Sequence, residues 1–163
     1  MKIVLAAVAL FIASAASSAS PQVTRIVVDK SDRKLYAHVG EAVVATYPVA
    51  LGLNPVGHKR QEGDRRTPEG DYVLDYRNPK SAFFRSLHIS YPNAADRARA
   101  RSRGVSPGGD IMIHGQPNDP RMRERVRIYP LPDWTDGCIA LSDADMKRLW
   151  DMVRVPVPIR IIP

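Results

Sequence analysis

Hydrophobic and polar positions alternate over much of this chain with a period of two, the pattern of strands buried on one face. Thr24-Arg25-Ile26-Val27-Val28 is rich in β-branched residues, Ser31-Asp32 marks a turn, and Lys34-Leu35-Tyr36-Ala37-His38 alternates. Gly40 marks a second turn and Ala42 to Val49 resumes the pattern, which predicts a meander of three short strands. A fourth strand, Asp71 to Tyr76, is entered through Thr67-Pro68-Glu69-Gly70, whose Pro and Gly suit a turn. Asp110 to His114 reads as a buried strand, and Ile159 to Ile162 as a closing edge strand, where the neighbouring prolines are tolerated.

The period changes after Leu141. Ser142 can cap a helix, Asp145 stands in the capping-box position, and Met146, Leu149, Trp150 and Val153 form an apolar stripe at helical spacing. Pro156 and Pro158 end that helix, and a shorter Ala/Arg helix is predicted around Asp96 to Arg103. The expected architecture is mainly β with one or two helices. Two long polar connections, Gly52 to Arg66 and Asn93 to Gly109, interrupt it. In a small domain such loops are more often functional than idle.

The first residues do not fit this scheme. Lys2 supplies a positive start, Ile3 to Ala13 is apolar but too short to span a bilayer, and Ser14 to Ser20 offers small residues for cleavage. Residues 1–20 are therefore expected to be a signal peptide and residues 21–163 one exported domain, of the periplasm or cell wall, without an integral membrane span. The net charge of +7 favours an anionic environment such as a wall polymer or membrane face. No basic run is interleaved with aromatics, which disfavours nucleic acid, and Arg97, Arg99, Arg101 and Arg103 read as a solvated face. The scattered histidines, His38, His58, His88 and His114, show no metal-ligand spacing, so no metal or cofactor is expected.

Cys138 is the single cysteine, so it has no intramolecular disulfide partner and its thiol is free for chemistry. It sits in Thr135-Asp136-Gly137-Cys138-Ile139-Ala140, downstream of Ile111-Met112-Ile113-His114-Gly115. A free thiol is a few per cent ionised at neutral pH, and an adjacent imidazolium can make the thiolate abundant. His114 is the best partner because it closes an apolar strand. Gly137 lets a carbonyl approach the backbone, and the amides of Gly137 and Cys138 could converge on an oxyanion. The competing reading is an inert, buried thiol beside a tight glycine turn.

The set Ile113-His114-Gly115 with Thr135-Asp136-Gly137-Cys138-Ile139 resembles the active-site signature of the L,D-transpeptidase (YkuD, or ErfK/YbiS/YcfS/YnhG) family. Thr67 to Tyr72, Leu87 to Asn93 and Gly108 to His114 extend the likeness over about residues 24 to 163. It implies a YkuD-like β-sandwich or barrel, with Cys138 as nucleophile, His114 as base, and Thr135 and Gly137 as motif residues. It further implies that the Gly115 carbonyl orients the imidazole. Two departures stand out: Asp136 occupies a position where the family often has a second histidine, and Ala140 one where Arg or Asn is common.

The resemblance implies a peptidoglycan transferase. Cys138 would take the acyl group of a third-position diamino acid as a thioester, expel D-Ala, and pass the acyl group to a second stem-peptide amine. Tyr91, Trp134 and Arg127 are candidate substrate contacts, with Arg85 and Arg97 as further candidates for binding carboxylates. Two alternatives remain open. One is a carboxypeptidase or amidase that uses the same intermediate to release D-Ala or a wall-bound lipoprotein. The other is a non-catalytic wall-binding module.

Overall fold

The computed structural model describes residues 21–128 and 132–163; the expected signal peptide lies outside them. The strands are β1 (Arg25–Asp29), β2 (Lys34–Val39), β3 (Ala42–Pro48), β4 (Gly70–Asn78), β5 (Ser86–Ile89), β6 (Met112–His114), β7 (Ile139–Ala140) and β8 (Val157–Ile162). They form one eight-stranded sheet in the order β3-β2-β1-β8-β4-β5-β6-β7, curled into a half-barrel. The mainly β architecture is as expected. Among the described residues, no helix is long and apolar enough to cross a membrane.

Alternation sorts the side chains onto two faces. Ile26 and Val28 of β1, Leu74 of β4, Leu87 and Ile89 of β5, Ile113 of β6, Ile139 of β7 and Ile159 of β8 all point into one buried core. Helix α3 (Asp143–Met152) contributes Met146 and Leu149 to that core, and its first turn is capped by Ser142, whose Oγ accepts the Asp145 amide at 3.0 Å. Helix α1 (Ala94–Ser102) starts in a capping box made by Asn93 and Asp96. The opposite sheet face carries Met112, His114 and, one residue before β7, Cys138.

The predicted edge strand proves to be central. β8 lies between β1 and β4. Pro158 is accommodated because the β1 ladder begins only at Ile159. On the other side it opposes Val73, whose amide donates to Ser90 Oγ. Its missing N–H therefore costs no ladder bond. A third helix, α2 (Pro120–Ile128), exceeds the expected one or two. It buries no side chain, so it lacks the apolar stripe by which helices are read from sequence. Its local signal is Asp119, whose Oδ1 accepts the Met122 amide at 2.8 Å, followed by Pro120 in the first turn.

The polar connection from Gly52 to Arg66 is irregular but firmly held. Lys30, 4 % exposed, donates to the carbonyls of Gly57 and Thr67 and pairs with Glu69 at 2.7 Å. Lys59 pairs with Asp64 at 2.9 Å, and Asp64 accepts the amides of Arg60, Gln61 and Arg66. Buried cations with several partners tie this loop to the sheet without regular secondary structure.

Candidate active site

β6 and β7 pair in parallel, with Ile113 opposite Ile139 and His114 opposite Ala140. Extending that register by one residue sets Cys138 beside Met112, and the Met112 amide donates to Cys138 Sγ at 3.4 Å. Cys138 and His114 thus lie on the same sheet face, two positions apart along the ladder. Both line one cavity of ≈ 260 Å³. Phe83, Trp134 and Met122 wall it, and Asp110 and Asp136 stand at its polar side.

The imidazole is fixed from three directions. His114 Nδ1 lies 2.7 Å from the Gly115 carbonyl, a contact that requires the proton on Nδ1 and leaves Nε2 unprotonated in the neutral ring. Phe83 and Trp134 flank the ring at centroid distances of 4.6 and 5.8 Å. Gly115 is itself pinned, because its amide donates to Phe83 O at 3.1 Å and Asp143 Oδ1 accepts the Gln116 amide at 2.8 Å. A Cβ on Gly115 would meet Asp143 Oδ1 at 2.7 Å and Phe84 Cβ at 2.8 Å, so only glycine fits.

The cysteine turn is built around Thr135. Its hydroxyl donates to the Cys138 carbonyl at 2.7 Å and accepts the Gly137 amide at 3.1 Å. The Gly137 amide, expected to serve an oxyanion, is satisfied inside the turn in this structure. Gly137 has φ +131°, and a Cβ there would meet the Arg66 carbonyl at 2.7 Å. Its role is to let the turn lie against the Gly52–Arg66 loop. Upstream, Asp133 is held by Arg33 at 2.7 Å and accepts the Leu51 amide at 2.9 Å. The Thr135 amide donates to Leu51 O at 3.1 Å, and Ala50 and Ala140 exchange both backbone bonds.

Burial dominates the electrostatics of the pair and favours the neutral form of each group. Burial pushes the Cys138 thiol above its ordinary range, against the Met112 amide that favours the thiolate. Asp136 and Asp110 add to the rise, while Lys59 opposes it. Burial also holds His114 below the ordinary imidazole range, with the Gly115 carbonyl acting the other way. Both directions favour the neutral thiol and neutral imidazole over an imidazolium–thiolate pair. Asp136 points outward, 89 % exposed and 3.6 Å from Arg65, so it burdens the sulfur without touching His114.

Of the candidate substrate contacts, only Trp134 reaches the cavity. Tyr91 is 3 % exposed, packs against Tyr72 and donates to Pro107 O at 2.9 Å, which makes it a core residue. Arg127 sits exposed on α2 and pairs with Glu124 at 2.6 Å. Arg85 lies over the Trp150 ring and Arg97 belongs to α1; neither lines the cavity. Phe83, Met112, Met122 and Asp110 were not legible as site residues. Asp110 adopts φ 54°, in the left-handed region that Asp tolerates, and its carbonyl accepts the Cys138 thiol at 3.6 Å.

The L,D-transpeptidase catalytic domain profile of the YkuD family matches residues 23–161. The chain belongs to this family. As an L,D-transpeptidase-family domain it is 30 % identical over 138 residues to YafK of Escherichia coli K12, a protein described provisionally as an L,D-transpeptidase. That match covers 82 % of this chain and 48 % of YafK, so the domain spans about half the length of its curated relative. Among solved structures it is similar to the helical cell shape determining protein Pgp2 of Campylobacter jejuni. The identity is 26 % and the TM-score 0.64, over 86 % of this chain and 48 % of that one. Bd1075 of Bdellovibrio bacteriovorus matches at 28 % identity and TM-score 0.57, over 86 % of this chain and 48 % of its own.

Replacing Gly137 by Ala should strain the left-handed backbone and drive a methyl into the Arg66 carbonyl. The expected cost is at least about 1 kcal/mol in urea unfolding. A variant as stable as the parent would contradict the tight apposition of turn and loop.

Proposed function

We propose that this domain is an exported cysteine acyltransferase of peptidoglycan stem peptides, an L,D-transpeptidase that works through a Cys138 thioester. The observation that carries the reading is that Cys138 and His114 share one cavity, with the ring anchored through Nδ1 so that Nε2 is the free base. Neutral partners define the course of the reaction. His114 Nε2 removes the thiol proton as Sγ attacks the peptide carbonyl, and the Met112 amide steadies the developing sulfur charge. Proton transfer from the resulting imidazolium to the departing amine releases D-Ala and leaves the acyl group on sulfur. A second stem-peptide amine then attacks the thioester, with His114 again taking the proton.

With the Gly137 amide engaged, the Cys138 amide is the backbone donor left in the turn for the oxyanion. The apolar wall of Phe83, Trp134 and Met122 offers water few hydrogen-bond partners beside the acylated sulfur, which favours transfer to an amine over hydrolysis. The Gly115 carbonyl does the orienting that a carboxylate performs in other triads, so no acidic third member is needed.

Incubation of residues 21–163 with a tetrapeptide stem ending in D-Ala should give a mass adduct that is absent in Cys138→Ala. Products should include 3-3 linked dimers. Tripeptide without dimers would replace transfer by hydrolysis, and absence of any adduct would remove the thioester.

The acylation rate should be flat across neutral pH and fall only below the ordinary imidazole range, as the buried imidazole takes up its proton. In His114→Ala the rate at neutral pH should drop by about 10²-fold or more and then climb with pH toward the raised thiol pKa. A variant that acylates at the parent rate at pH 7 would exclude His114 as the base.

A further inference from the structure

Beside the cavity, on the same sheet face as Cys138, lies a second group of side chains that the chemistry above does not use. His88 of β5 stands opposite Met112 of β6, which itself lies beside Cys138. The row continues into β4 through an irregularity. Leu74 pairs with Ile89 and Arg77 with Leu87, so Asp75 and Tyr76 both oppose the single residue His88. Such a bulge interrupts the ladder and re-aims side chains. Here it brings two of them onto one imidazole: Asp75 Oδ1 lies 2.6 Å from His88 Nδ1, and the Tyr76 ring stacks on His88 at 4.5 Å and 14°.

Two members of the group are open to solvent. Tyr76 is 44 % exposed and the Asp75 side chain 42 %. His88 itself is more enclosed, its side chain 15 % exposed, with Nδ1 turned to Asp75. Asp110 extends the strip: it lies two residues before Met112, which opposes His88, it lines the near side of the cavity, and its carbonyl accepts the Cys138 thiol at 3.6 Å. Among the described residues neither Asp75 nor Asp110 pairs with a lysine or arginine, although the chain carries a net +7. The nearby cations are engaged elsewhere, Arg65 with Asp136 and Lys59 with Asp64. Carboxylates and an exposed aromatic face together suit a primary ammonium.

We propose that Asp75, His88, Tyr76 and Asp110 form a subsite for the distal ammonium of the donor's third-position diamino acid, and so select stem peptides whose side-chain amine is free. The inference rests on the thioester reading of Cys138. Its geometry is consistent. From the acyl carbonyl to the terminal nitrogen of such a side chain, six bonds reach roughly 7–8 Å when extended. Cys138 and His88 lie two strands apart, roughly 10 Å between backbones. An acyl group on Sγ can therefore bring its amine over the β5 side of the face. The peptide carbonyl stays in the cavity walled by Phe83 and Trp134. Binding of this kind does not depend on whether an amine or water later accepts the acyl group.

The test compares two donors, L-Ala-γ-D-Glu-meso-diaminopimelate-D-Ala and the same peptide acetylated on the distal amine. D-Ala release is followed as kcat/KM. The parent domain should prefer the free amine by about tenfold or more, the worth of one charge-assisted contact. Asp75→Asn, which keeps size and shape, and Tyr76→Ala should each reduce that preference severalfold while turning over the acetylated peptide at the parent rate. Equal use of the two donors by the parent, or unchanged preference in both variants, would overturn the subsite and leave the thioester standing. So would an equal loss on both donors, which marks a structural role. If the parent releases no D-Ala from either donor and Cys138 gains no adduct, the thioester reading falls and the subsite with it.

Discussion

Everything at this site depends on the parallel pairing of two very short strands. β6 and β7 share only the pairs Ile113–Ile139 and His114–Ala140, yet that register decides that a sulfur and an imidazole distant in sequence face the same cavity. A slip by one residue would turn Cys138 into the core and Ile139 out. The pairing holds because Ile113 and Ile139 are both fully buried, and because the chain around Ala50 and Leu51 grips the other side of β7. Asp133 and Arg33 then anchor the entry to the cysteine turn. Local strand propensity contributes little to so short a ladder; burial and outside hydrogen bonds sustain it.

The same burial sets the protonation state. Removing water from a thiol and an imidazole favours the neutral form of each, and here that effect outweighs the Met112 amide on one side and the Gly115 carbonyl on the other. A neutral thiol is less reactive toward oxidants and other electrophiles than a thiolate. Orientation has to replace ionisation as the source of reactivity. The backbone provides it: Gly115 aims the ring, Asp143 and Phe83 aim Gly115, and the Thr135 hydroxyl closes the cysteine turn. The glycines matter here for the space they leave at those contacts.

Much of this was legible in the sequence, and the limits have physical causes. The β-meander, α3 with its Ser142 cap, and the pair Cys138/His114 all have local signatures: alternation, helical stripe, and a lone thiol beside a strand-ending histidine. β8 was misplaced because prolines mark a strand as peripheral unless the register happens to spare their missing donors, as it does at Pro158. α2 was missed because nothing on it is buried. Tyr91, a candidate substrate contact by its place in the motif, is core, while Phe83 and Met122, with no pattern around them, build the cavity wall. Thr135 and Gly137 were chosen for the right turn, but who accepts the Gly137 amide is a tertiary fact.

The protonation of His114 is the most direct test of this account. Imidazole nitrogen chemical shifts from a 15N-labelled domain, followed through pH, should report a neutral ring at pH 7 with the proton on Nδ1, titrating below the ordinary imidazole range. A ring protonated on both nitrogens at pH 7, or a neutral ring with its proton on Nε2, would contradict it.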